Sequence, residues 1–204
     1  MKKRLDQVYQ FKISLANIQP LIWRRIQVPE SYSFWDLHVA IQDAMGWDDS
    51  HLHMFIMEIG PQTGEQVRIG IPDDEPMEES EKPMLPGWTQ GIGHYFSMEN
   101  RTAKYIYDFG DDWMHMVELE AIIPGETGRK YPVCIGAEKA CPPEDCGGIP
   151  GYLDFLEAIK NPHHEQHDEM LEWIGGKFDP DRFDADKIKF SDPARRFKRA
   201  FGRE

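Results

Sequence analysis

The chain has 204 residues, of which 40% are hydrophobic, 29% charged and 12% aromatic. That composition supports a core for one generous domain or two small ones and excludes a disordered polar chain. Acids outnumber bases 36 to 23, a net charge of −13 that weighs against gripping a nucleic-acid backbone, which takes surplus lysine and arginine.

Residues 8–15 alternate, with Tyr9, Phe11, Ile13 and Leu15 on one side and Gln10, Lys12 and Ser14 on the other, the period of a half-buried strand. Turn chemistry at 17–20 and a second run at 22–28 predict an antiparallel hairpin closed by Pro29. Ser33 lies three residues before Asp36, resembling a capping box, and Phe34, Leu37, Ile41 and Met45 continue at helical spacing to Gly46. Residues 52–59 and 67–71 read as strands. The stretch 73–86 holds Asp73, Asp74, Glu75, Glu78, Glu79 and Glu81 among prolines and predicts a mobile acidic surface loop.

Two further strands are expected at 104–109 and 113–123 across Gly110-Asp111-Asp112, and a short one at 131–135. A structured Cys-Pro-Gly loop at 141–151 precedes helices expected at 152–160, 163–174 and 194–201. With strands in the first two-thirds and helices in the last, the fold class is α+β. The expectation is a single domain over 1–204, a mostly antiparallel, strongly curved sheet packed by helices. No run approaches the ~20 apolar residues of a membrane span. The basic start, Met1 to Arg4, runs into the alternating strand rather than a signal core, and three cysteines suit a reducing compartment. A cytoplasmic protein with no membrane partner is expected.

The densest chemistry is Asp108-Phe109-Gly110-Asp111-Asp112-Trp113-Met114-His115, where crowded carboxylates and a histidine can tune one another's ionisation or recruit a hard cation. Turn chemistry is the competing account, since Asp and Gly supply side-chain bonds and positive φ. On a regular strand Asp108 would share the face of Ile106. A second block, Glu144-Asp145-Cys146-Gly147-Gly148, places acids before a helix, where glycine amides can form an anion nest unless carboxylates repel the anion. Turns gather at sheet ends, so Asp108, Asp111, Asp112, Trp113, His115, Glu144 and Asp145 form the candidate cleft.

Cys141 and Cys146 with His163 and His167 are weak zinc candidates, because the spacing is loose and Pro142-Pro143 is stiff. No zinc is expected, and of cofactors only a divalent metal at the acidic cluster is entertained. His51 and His53 would share a strand face. Trp23-Arg24-Arg25 reads as an exposed or acid-paired face. The basic tip, Arg195, Arg196, Lys198, Arg199 and Arg203, suits nucleic acid, an acidic partner or the protein's own acids. Nucleotide-binding loops, a G-x-S-x-G elbow and H-E-x-x-H are missing.

These blocks, from Ile22-Trp23-Arg24-Arg25 through Tyr107 to Trp113 and Cys141 to Gly148, resemble the Ri-plasmid open-reading-frame-three-like family. Its members occur on plasmids, in transposons and in chromosomes, and some are labelled transposon resolvases. The resemblance implies a mobile-element setting and no defined activity. Its relatives often carry Val at the position of Cys146, which weighs against a required zinc ligand there. The leading functional reading is a non-enzymatic interaction module with a protein partner. The alternative is a divalent-metal-dependent hydrolase or nuclease using Asp108, Asp111, Asp112, Glu144 and Asp145.

Overall fold

The alternation of the first strand sets the architecture. β1 (Gln7–Leu15) turns Phe11, Ile13 and Leu15 fully inward and pairs antiparallel with β2 (Trp23–Pro29). The computed structural model describes residues 7–59, 64–72 and 83–202. Further strands are β3 (His53–Glu58), β4 (Gln66–Gly70), β5 (Leu85–Pro86), β6 (Thr102–Tyr107), β7 (Trp113–Pro124) and β8 (Val133–Glu138). They form one eight-stranded sheet in the order β5-β4-β3-β6-β7-β1-β2-β8, antiparallel except for β4 with β5. The order runs from β5 to β8 without closing on itself, so the sheet is open and uncurled where strong curvature was expected. Most of the acidic segment, 73–82, lies outside the described residues. Its expected end does not hold, since Leu85 and Pro86 pair with Ile69 and Gly70.

The inner face carries Phe11, Ile26, Phe55, Tyr105, Tyr107, Val117 and Leu119. Helix α1 (Phe34–Met45) adds Phe34, Leu37 and Ile41 to this core. Its start is a complete capping box: Ser33 Oγ accepts from Asp36 N at 3.2 Å, and Asp36 Oδ2 accepts from Ser33 N at 2.8 Å. Gly46, at φ 90°, ends it. Ser33→Ala is expected to cost about 1 kcal/mol, read as a lower urea midpoint at unchanged slope.

On the outer face the Arg25 guanidinium grips both Glu120 oxygens at 2.6 and 2.8 Å, the acid pairing expected there. Arg24 does the opposite. It is fully buried, donates to the carbonyls of Trp23, Ala44 and Glu138, and lies 3.6 Å from the centre of the Phe183 ring. The C-terminal third holds α2 (Gly148–Lys160), α3 (His167–Trp173) and α4 (Pro193–Phe201).

Candidate functional site

The loop between β6 and β7 is five residues long, and Asp108 and Asp112 take left-handed backbone at φ 56° and 52°. The strand therefore ends at Tyr107, and Asp108 does not continue the face of Ile106. Its Oδ1 accepts from the amides of Gly110 at 2.9 Å and Asp111 at 3.4 Å, the side-chain turn that aspartate favours. Asp111 reaches across to the second acidic block, where its Oδ2 accepts from Gly147 N at 3.1 Å. The glycine amide at the start of α2 is thus met by the protein's own carboxylate, which also complements the helix dipole. The two loops touch tightly: a Cβ at Gly148, which sits at φ +67°, would lie 2.6 Å from the Asp111 carbonyl oxygen.

His51 joins the loops at the rim. Its Nε2 is 2.9 Å from Asp145 Oδ1 and 3.6 Å from Asp108 Oδ2. Glu144 Oε1 accepts from the Tyr107 hydroxyl at 2.5 Å, and that hydroxyl oxygen accepts from Ser50 N at 3.0 Å. Burial, with Glu144 alongside, pushes the Tyr107 pKa up, so the phenol keeps its proton. Of the seven cleft residues predicted from sequence, Asp108, Asp111, Glu144 and Asp145 come together. Asp112 is exposed on the turn. Trp113 is buried near Trp47, with ring centres 5.9 Å apart, as a floor rather than a wall. His115 does not belong to the rim: alternation along β7 turns it into the core, where burial holds its pKa down to about 4.

A second cluster escaped the sequence. His38 Nε2 lies 2.7 Å from Asp49 Oδ1, His38 Nδ1 is 2.8 Å from the Tyr105 hydroxyl, and Gln42 Nε2 donates to the same hydroxyl at 2.9 Å. With a carboxylate at one end and an amide N–H at the other, the bonds of neutral His38 run one way. Gln42 donates to Tyr105, Tyr105 to His38, and His38 to Asp49. His53 stacks on His38 with ring centres 3.4 Å apart. Burial drives both imidazoles well below their usual 6.5, assisted by Arg196 at His38 and by His38 at His53. Asp49 is pushed up by burial and drawn back by His53, Arg196 and Arg199. His51 and His53 therefore serve different clusters and do not share one site. The available signal was His38 with Gln42, two polar residues four apart on the otherwise apolar face of α1.

Cys141, Cys146, His163 and His167 are not gathered. Among the described residues, the histidine, cysteine and acid clusters of ligand spacing are His38–Asp49–His53 and His51–Asp108–Asp145. Burial pushes the thiols of Cys141 and Cys146 up to about 12. His167 Nδ1 bonds the Ala158 carbonyl at 2.8 Å, tying α3 to α2.

The chain is 37% identical over 172 residues to "Uncharacterized protein y4hQ" of Sinorhizobium fredii (strain NBRC 101917 / NGR234), covering 82% of this chain and 81% of that protein. The crystal structure of the protein of unknown function MM3350 from Methanosarcina mazei Go1 superposes with a TM-score of 0.82 at 43% identity, covering 91% of this chain and 99% of that one. Among the described residues no helix is long and apolar enough to cross a membrane. The sequence profile of the plasmid pRiA4b ORF-3-like proteins matches residues 7–187, and the chain belongs to that family.

Proposed function

We propose that this protein is a non-enzymatic binding module whose ligand site is the rim formed by His51, Asp108 and Asp145, and that the ligand is a divalent cation. One observation carries the reading: two carboxylates converge on a single imidazole nitrogen, at 2.9 and 3.6 Å. That nitrogen carries at most one proton and satisfies one of them. A cation satisfies all three groups, and the separations match the spacing of donors around a small metal ion with bonds of about 2.0–2.2 Å. A mixed nitrogen and carboxylate set favours Zn²⁺ or Mn²⁺ over Mg²⁺, which keeps more of its water. The turn at Asp108 and the Asp111 bridge to Gly147 hold the donors in place. The net charge of −13 supports a cation rather than a phosphate group as ligand.

Calorimetric titration with Zn²⁺, Mn²⁺ and Mg²⁺ tests this. One ion per chain is expected, weakened at least about ten-fold by Asp145→Asn or Asp108→Asn. Asparagine tolerates the left-handed turn and keeps its acceptor oxygen, so the fold survives either change. Absence of binding by the wild type, or equal binding by the variants, defeats the proposal.

A further inference from the structure

No residue of helix α4 is fully buried, although the Arg196 side chain is only 13% exposed. It sits against an acidic and aromatic groove. Arg196 Nη2 is 2.8 Å from Asp43 Oδ1, and Nη1 is 3.5 Å from Asp49 Oδ2. Phe197 and Phe201 meet the rings of Trp35 and Trp88 edge-on or tilted, at 5.1–5.6 Å between centres. The Trp35 indole N–H donates to the Pro193 carbonyl at 3.0 Å. Beside the helix a hollow of about 680 Å³ remains, bounded by Trp35, Asp36, Trp88, Phe197 and Lys198.

We infer that this groove is a receptor for a basic amphipathic helix of a partner protein, and that α4 is its intramolecular occupant. Three features support this. The groove's residues all fall within 7–187, the stretch shared with the family, whereas α4 falls beyond it. Charge and shape are complementary: paired acids accept one arginine, and two indoles accept Phe197 and Phe201, four residues apart, the one-face spacing of a helix read by a groove. The hollow runs along the seam, with Phe197 and Lys198 on one side and Trp35, Asp36 and Trp88 on the other, so α4 and the groove are not packed shut along their whole length. The surface is separate from the rim and stands or falls independently of it.

The test uses the full chain with Phe197→Ala and Phe201→Ala, which loosens α4, and a labelled peptide of residues 190–202 followed by fluorescence anisotropy. Saturable binding is expected to the double variant. Binding to the wild type should be at least about ten-fold weaker, because a tethered helix competes at millimolar effective concentration. Adding Trp88→Ala, or placing Glu at Arg196 of the peptide, should abolish it. If the double variant does not fold, Arg196→Glu in the full chain releases α4 by charge repulsion and replaces it. No binding to a released chain whose circular dichroism is native overturns the inference. So does a concentration-dependent mass of that chain, which would assign the groove to a second copy.

Discussion

Gly151→Ala is expected to break the rim while leaving the sheet standing. Gly151 sits in the first turn of α2, and a Cβ there would lie 1.9 Å from the Cys146 carbonyl oxygen and 2.9 Å from its carbon. Both obstacles are backbone, so no side chain can turn aside. The 144–147 loop must retreat until the shorter separation exceeds 3.0 Å. That movement pulls Asp145 from His51 and Gly147 from Asp111, which are held at 2.9 and 3.1 Å. A loss of about 3 kcal/mol, the upper end for overpacking, should appear in urea unfolding, together with loss of cation binding. Gly175→Ala is the control. At φ +79° in open space it meets no atom, so it costs only the left-handed strain of about 1 kcal/mol.

Acid should destabilise this protein unusually early. His38, His53 and His115 are fully or almost fully buried, and all three have folded pKa values below the usual 6.5, His115 at about 4. Well above pH 6.5 they are neutral in both states and contribute nothing to the pH dependence; near 6.5 the unfolded rings are already half protonated. Below it the unfolded chain takes up protons that the folded chain refuses, so stability falls as pH falls from 6.5 toward the folded values. Between pH 6.5 and 5.5 the loss should be about 1 kcal/mol per histidine, or about 3 kcal/mol in all. Asp49 acts in the opposite direction, because its raised pKa lets the folded state take a proton first, but only nearer the carboxylate range. Urea melts at pH 7.5, 6.5 and 5.5 measure the slope. Equal stability at the three values would show that these rings are not held neutral.

The sequence carried most of the fold, and two of the three rim residues, Asp108 and Asp145, stood among its candidates. Short-range signals were sufficient where geometry is local: the β1 alternation, the Ser33–Asp36 capping box and the Gly46 stop appear as predicted. The Asp111 and Asp145 loops lie 34 residues apart in the chain, and only their turn chemistry hinted that they would meet. His115 was misplaced because nearness in sequence to three aspartates hid the alternation of β7, which sends it inward. Asp49 stood next to Asp48 with nothing to distinguish it. Its role depends on α1, β6 and α4 arriving at one place, which no window of sequence contains. Arg24 and Arg25, adjacent and alike, separate to opposite faces because a strand side chain reverses at every step.

The two ends of the open sheet bear on how the protein behaves at high concentration. An unpaired strand edge offers a row of amides and carbonyls on which another chain can build a sheet. Among the described residues one edge is β5, only two residues long and ending in Pro86, which has no amide hydrogen to offer. The other is β8, whose pairing with β2 slips register between Arg25 and Ile26 and whose run ends in Glu138. Neither edge provides a long, flat template, so strand-to-strand aggregation and fibril seeding should be suppressed although eight strands lie in one open sheet.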